Sequence, residues 1–181
     1  MSADRRKVLL VLAVALLCSL AATDRSQPTE DSCRKFVQAF YDWYVPKAQD
    51  VHGDPLDLTL RRKPAPFSAE LVRGLDRVEA ESKADNDAGL DFDPVLNTQD
   101  PGDPGDSYVI VKATYRDGAC SVELHSKFRN TSDVAIVVPE LRFEQGRWVF
   151  VNFHYPDSTD KRSENLRNLI KNYLAPSPTS P

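Results

Sequence analysis

The chain has 181 residues, of which 41% are hydrophobic and 28% charged, and its formal net charge is −4. These values are typical of one globular domain rather than two. A net negative surface has no general attraction for nucleic acid or for anionic lipid, so we expect no nucleic-acid partner.

The first 21 residues predict a cleaved export signal. A basic segment, MSADRRK, precedes an apolar run over residues 8–17, which is too short to span a membrane. Ser19 and Ala21 supply the small side chains that a signal peptidase needs, so cleavage is expected after Ala21. We therefore predict a periplasmic or secreted protein whose mature chain has no transmembrane segment.

Two other export routes stay open. Lipoprotein anchoring through Cys18 is an alternative, although Leu17 is larger than the residue that usually precedes a lipidated cysteine. The adjacent Arg5 and Arg6 also resemble the start of a twin-arginine signal. General secretion is the favoured hypothesis, because ordinary export signals also begin with adjacent arginines.

The mature chain is predicted to start with a flexible leader over residues 22–30 and an amphipathic helix. Asp31 or Ser32 is expected to cap this helix, and Pro46 is expected to end it. Its apolar positions recur with helical spacing at Cys33, Phe36, Val37, Phe40, Tyr41 and Tyr44. A single domain is predicted over residues 31–174, followed by a disordered proline-rich tail over residues 175–181.

Residues 47–83 predict a mixed segment and a second helix. Leu56, Leu58 and Leu60 alternate as in a short strand, but one turn of helix fits them equally well. Ser68 is expected to cap the second helix, which should fade near Lys83.

From Ser107 onward the apolar residues alternate with a period of two, which predicts a β-meander. Four strands are expected over residues 107–116, 119–128, 134–144 and 147–154. Asp117 and Gly118 form a two-residue hairpin signal, and Pro139 predicts a bulge or a sheet edge. A short C-terminal helix should follow, with apolar positions from Leu166 to Leu174.

The element order predicts an α+β fold in which the first helix lies on a curved four-stranded antiparallel sheet. Cys33 and Cys120 would then face the same core. The favoured hypothesis is a disulfide, because the expected compartment is oxidising. Two buried free thiols are the alternative.

The order of elements resembles the cone-shaped nuclear-transport-factor-like superfamily. Four motifs resemble, more particularly, a bacterial envelope family of unknown function, numbered 3828, with secreted and lipoprotein members. The motifs are FYDWY at residues 40–44, FSAEL at 67–71, DFDPVLNTQD at 91–100 and WVFVNFHY at 148–155. The resemblance implies the cone fold and the envelope compartment, but no established activity.

The loop over residues 89–103 is rich in aspartate and proline. Its spacing does not match an EF-hand, because Val95 and Leu96 occupy positions that need an oxygen ligand and a glycine. An irregular calcium site is an alternative, with Asp91, Asp93, Asp100 and Asp103 as ligands. The favoured interpretation is a self-capped loop near the mouth of the cone, anchored by Phe92, Val95 and Leu96.

An enzyme is an alternative hypothesis. His154 ends the last predicted strand and would act with Asp93 or Asp100 as a hydrolase or isomerase pair. His52 falls in a turn, and His125 is predicted to face outward. We find no phosphate loop, dinucleotide fingerprint or nucleophile motif in the sequence, so no cofactor is expected.

The favoured functional hypothesis is a non-enzymatic envelope protein. It would bind a partner protein or a small apolar ligand in the cone. Aromatic residues and one amide near the predicted mouth are the candidate contacts: Trp43, Tyr44, Phe92, Asn97 and Tyr155.

Overall fold

The structure is a computed structural model, and it describes residues 27–50, 54–100, 102, 107–127, 136–161 and 163–175. The predictions for the signal peptide, Cys18, His52, Asp103, most of the leader and most of the tail lie outside these residues. The helices are α1 (Glu30–Ala48), α2 (Pro55–Leu60), α3 (Ala69–Asp85) and α4 (Leu166–Tyr173). The strands are β1 (Tyr108–Arg116), β2 (Ala119–Ser126), β3 (Val138–Glu144) and β4 (Arg147–His154).

Helix α1 begins two or three residues earlier and ends two residues later than predicted. Thr29, not Asp31 or Ser32, is the N-cap, and Ser32 completes a capping box three residues further on. Pro46 lies inside the helix, because the helical hydrogen bonds continue past it: Gln49 N–H donates to the Val45 carbonyl at 3.0 Å. The expectation that Pro46 ends the helix was therefore wrong.

Helices α2 and α3 begin at the turns that the sequence predicts. The leucine-rich segment forms a helix, because Pro55 stands in its first turn and the Asp54 side chain accepts from Asp57 N–H. Ser68 caps α3 as predicted and accepts from Leu71 N–H. Asn86, with φ of 55°, then ends α3 in a left-handed conformation.

The four strands form one antiparallel sheet in the order β1-β2-β3-β4, as the meander predicts. The register shifts between Glu140 and Leu141, one residue after Pro139, so of the two predicted possibilities, a bulge or a sheet edge, the structure has the irregularity of a bulge. Strand β3 begins at Val138 rather than at residue 134, and residues 128–135 lie outside the described part. On its outer edge β4 gains further hydrogen bonds, because the Phe150 backbone pairs with Pro66 and Ser68.

Helix α1 packs on the sheet, and the two halves of the core are covalently joined. The rings of Phe40 from α1 and Phe150 from β4 are tilted against each other with their centroids 4.7 Å apart, and both side chains are buried. A disulfide joins Cys33 of α1 to Cys120 of β2, and both residues are fully buried. The α+β fold and the predicted disulfide are therefore confirmed.

Helix α4 closes the structure by packing on α3 and β4. The Asn165 side chain caps it, and Asn152 of β4 accepts from Arg167 N–H at 3.1 Å. Buried Asn152 thus satisfies one of the free amide groups at the start of the helix. Within the described ranges we find no helix that is long and apolar enough to cross a membrane.

Candidate functional site

The aspartate loop is a self-capped turn, as the sequence predicts. Asp93 Oδ1 accepts from Val95 N–H at 2.8 Å and from Leu96 N–H at 3.1 Å. The backbones of Asp93 and Thr98 pair across the turn, and Asn97 has a φ of 54°. Asparagine tolerates this left-handed conformation better than most residues.

Three tyrosines fasten the loop to the core from below. From α1, Tyr41 donates to the Val95 carbonyl at 2.8 Å and Tyr44 donates to Asp93 Oδ2 at 3.0 Å. From the residue after β4, Tyr155 donates to the Pro94 carbonyl at 3.0 Å. Because Val95 and Leu96 are fully buried beside these bonds, the loop is packed on the domain.

The same contacts place one carboxyl group in an apolar environment. Burial raises the pKa of Asp93 from its ordinary value of 3.8 to about 6, against the opposing effect of its amide and tyrosine donors. Burial, with a smaller contribution from the Asp93 charge, raises the pKa of Tyr41, Tyr44 and Tyr155 well above 10. The tyrosines are therefore neutral hydrogen-bond donors.

The outer side of the loop forms one wall of a groove of about 380 Å³, which we call the polar groove. The opposite wall is the segment after β4, and α4 closes one end. The groove is lined by Asp91, Phe92, Asn97, Thr98, Gln99, Tyr155, Asp157, Ser158, Ser163 and Leu169. No lysine or arginine is among these residues.

Three of the five predicted contact residues meet at the polar groove. The Phe92 and Tyr155 rings lie edge to face at 5.8 Å. Asn97 Nδ2 donates to the Ile136 carbonyl at 2.9 Å and to Asp157 Oδ1 at 3.1 Å, which joins the two walls. Asn97 and Asp157 are 60 positions apart in the chain, and the fold brings them together.

The other two predicted contact residues lie elsewhere. The structure buries Tyr44 completely below the loop. Trp43 is half-buried on α1, where its ring contacts two cations: the Arg62 guanidinium at 4.0 Å and Lys47 Nζ at 4.9 Å from the ring centroid. Trp43 therefore packs against its own chain and does not reach the polar groove.

Several groove residues were not predicted from the sequence. Gln99 and Thr98 belong to a motif quoted above, but nothing in their spacing marked them as contacts. Asp157, Ser158 and Ser163 follow the sheet and indicated only a turn. Their signal was weak because serine and aspartate are common in any turn.

The described aspartates do not assemble a metal site. Both Asp93 oxygens accept hydrogen bonds, Asp100 Oδ1 accepts from Gly102 N–H, and Asp91 Oδ2 lies 3.5 Å from Gln99 Nε2. In the part of the chain that the structure describes, no three acidic, histidine or cysteine side chains are grouped for a metal ion. Asp103, the fourth predicted ligand, is outside that part.

His154 has a carboxylate partner, but not one of the two predicted. Its Nε2 lies 3.1 Å from Glu140 Oε2 on the neighbouring strand, and the two side chains are 43% and 26% exposed. Among the described contacts, none joins His154 to Asp93 or Asp100. The pair has the character of a cross-strand contact at the sheet surface.

Comparisons with protein-family models, curated proteins and solved structures found no match to this chain. The function must therefore be argued from the geometry of the site itself. That geometry combines a fixed loop, an aromatic edge and a ring of amide, hydroxyl and carboxylate groups.

Proposed function

We propose that this chain is an exported bacterial envelope protein that acts by binding, and that the polar groove is its ligand site. One observation carries the proposal. Phe92, Asn97 and Tyr155, selected from the sequence as contact residues, converge on one concave surface. Concave sites with aromatic walls and a few convergent polar groups are the usual form of small-molecule sites.

The support below the groove favours binding. Backbone carbonyls of Pro94 and Val95 and the side chain of Asp93 are each held by a tyrosine hydroxyl. A loop held in this way keeps its shape before the ligand arrives. Binding to it therefore costs less ordering entropy than binding to a mobile loop.

The charge of the groove narrows the ligand class. Asp91 and Asp157 contribute two carboxylates, and the remaining polar groups are amides and hydroxyls without a basic side chain. This lining disfavours anions and suits a neutral or cationic molecule with hydroxyl or amine groups and one apolar side. The small apolar ligand expected from the sequence remains the alternative, with the Phe92–Tyr155 edge as its contact.

Export and family membership belong to the same proposal. A buried disulfide between α1 and β2 is consistent with an oxidising compartment, where such bonds persist. The motif resemblance to the envelope family numbered 3828 supports the same compartment. A periplasmic extract should therefore contain the protein with Ala22 as its first residue, which N-terminal sequencing tests.

A hydrolase or isomerase is the second candidate, because His154 and Glu140 form a close pair. Glu140 is the carboxylate partner of His154, whereas the sequence analysis expected Asp93 or Asp100. Their exposure argues against a water-excluded site, in which acid–base pairs work best. A His154→Gln variant separates the two candidates, since it removes the base and leaves the polar groove unchanged.

The binding proposal is tested by thermal melting of the purified protein with three probes: glucose, glucosamine and spermidine. We expect at least one probe to raise the melting temperature with a saturating concentration dependence. The shift should decrease in Gln99→Ala, which changes an exposed groove amide. It should persist in Gln38→Ala, a glutamine on α1 away from the groove.

Native mass spectrometry of the protein isolated from periplasm extends the test to ligands outside the panel. A bound small molecule that is lost in Gln99→Ala and kept in Gln38→Ala supports the proposal. Spectra without a ligand, together with no response to any probe, contradict it. A partner protein that remains bound to the Gln99→Ala variant also contradicts the groove as the site.

A further inference from the structure

A second groove, between α3 and α4, has the opposite charge. Its volume is about 520 Å³, and we call it the basic groove. Four exposed cationic side chains line it: Arg73 and Arg77 from α3, and Arg167 and Lys171 from α4. It lies apart from the polar groove, so it is not part of the function proposed above.

The helical spacing explains how the cations come together. Arg73 and Arg77 are four residues apart on α3, and Arg167 and Lys171 are four apart on α4. Residues with this spacing share one helix face and stand about 6 Å apart along the axis. The two pairs therefore form two basic rows that flank the groove.

The floor between the rows is apolar, and a glycine sets its depth. Leu71, Ile170 and Leu174 line it. A Cβ atom at Gly74 would lie 3.1 Å from Ile170 Cγ2, so the missing side chain lets the two helices approach closely. The groove thus combines an apolar floor with cationic rims.

The acidic residues that line this groove do not balance its cations. Glu70 is the one acidic lining residue, and it bonds to Arg167. Arg73, Arg77 and Lys171 have no ion pair among the described residues. Three cations therefore converge on one concave site in a chain whose net charge is −4. Like charges at this spacing repel one another, and a bound anion relieves that repulsion.

We propose that the basic groove binds a single-chain anionic amphiphile, the class represented by an alkyl phosphate. The phosphate would lie among Arg73, Arg77 and Lys171, and the alkyl chain would follow Leu71, Ile170 and Leu174. Arginine forms paired hydrogen bonds with phosphate oxygens, which suits this head group. The concave shape selects one free molecule rather than the flat surface of a bilayer.

The test is calorimetric titration of the purified protein with decyl phosphate below its micelle concentration. We expect one bound molecule per chain. The Arg73→Gln, Arg77→Gln double variant should weaken binding about tenfold, because it removes two charges from the head-group site. The matched control is Arg116→Gln, Arg142→Gln, which removes two exposed arginines of the sheet and should bind as the wild type does.

Three comparison ligands test whether binding needs the charged head group, whether it needs the alkyl chain, and whether a membrane surface can replace the free molecule. Inorganic phosphate and the neutral decyl maltoside should each bind more weakly than decyl phosphate. Equal binding of either one, equal weakening by both double variants, or no binding of decyl phosphate would overturn the proposal. Binding to phosphatidylglycerol vesicles without binding of decyl phosphate would assign the surface to a membrane and also overturn it. Circular dichroism of both double variants checks that the fold is unchanged.

Discussion

Tyr44 of α1 donates a hydrogen bond across 3.0 Å to Asp93, which lies 49 residues further along the chain. The bond ties the first helix to the aspartate loop below the polar groove. The carboxyl group of Asp93 is buried there, and this burial raises the pKa of Asp93 to about 6. The loop therefore carries a dependence on pH that can be measured.

The Asp93→Asn variant should remove this pH dependence. The pKa of Asp93 is higher in the folded chain, about 6 against 3.8, so protonation favours folding. Stability from this group is complete below about pH 4 and is lost as the pH rises through 6. We expect the wild type to lose roughly 2 kcal/mol relative to Asp93→Asn between pH 4 and pH 8.

Urea unfolding of both proteins at a series of pH values measures that difference. The asparagine keeps an oxygen for the Val95 and Leu96 amides, so the turn should persist. Asp91→Asn, at an exposed carboxylate of the same loop, is the matched control and should follow the wild type. A constant difference between Asp93→Asn and the wild type across this range would show that Asp93 does not titrate as described.

The tyrosine bonds below the loop should each stabilise the domain. Tyr41→Phe leaves the buried Val95 carbonyl without its donor, and Tyr155→Phe does the same to Pro94. Each variant should lose about 1–3 kcal/mol of unfolding free energy, the cost of an unsatisfied buried group. Amide exchange of Val95 and Leu96 should accelerate as well.

Tyr115→Phe is the matched control for this pair. Tyr115 contacts Trp148 edge to face, and no hydrogen bond of its hydroxyl is found among the described residues. It should lose less than about 0.5 kcal/mol, as is usual for a substitution away from buried features. Equal losses in all three variants would mean that the hydroxyl bonds to the loop contribute nothing specific.

Removal of the disulfide should destabilise the domain strongly. Cys33 and Cys120 are 87 positions apart, so the bond restricts a long loop in the unfolded chain. We expect the Cys33→Ala, Cys120→Ala double variant to lose about 4 kcal/mol in the chain-entropy description. Reduction of the wild type should give a similar loss in urea unfolding. A reductant effect on the double variant would point to another cause.

Arg62 should shield Trp43 from solvent. Its guanidinium lies 4.0 Å from the centre of the ring, a cation–π contact that is worth about 0.5–1 kcal/mol at an exposed site. We expect Arg62→Ala to shift tryptophan emission to the red and to increase acrylamide quenching, because Trp148 is almost fully buried. Arg142→Ala, on the sheet, should change neither. Unchanged quenching in Arg62→Ala would contradict the contact.

Much of the fold follows from local patterns. The helical spacing of Cys33 to Tyr44 and the alternation from Ser107 onward identify the elements and their buried faces. Those faces place Cys33 and Cys120 on opposite walls of one core, which is why the disulfide was predictable. Asp93 before Pro94 was likewise sufficient for the turn, since aspartate bonds to amides within its own loop.

The boundaries of α1 were less predictable, because caps depend on small differences. Thr29, Asp31 and Ser32 all favour an N-cap, and in the structure Thr29 starts the helix because it exchanges hydrogen bonds with Ser32. Pro46 stands in the last turn, where one missing amide costs little once Val45 is buried. Helix propensity alone does not predict that burial of Val45 offsets the missing amide of Pro46.

The sequence by itself determined the order of the main elements, the buried faces that carry Cys33 and Cys120, and the capped turn at Asp93. Only the tertiary structure decided that Asn97 meets Asp157, that Trp43 is covered by Arg62, and that two basic rows flank one groove. The physical reason is the distance along the chain over which each interaction acts. Periodicity and capping act over a few residues, whereas each groove wall comes from segments that approach only when the core closes.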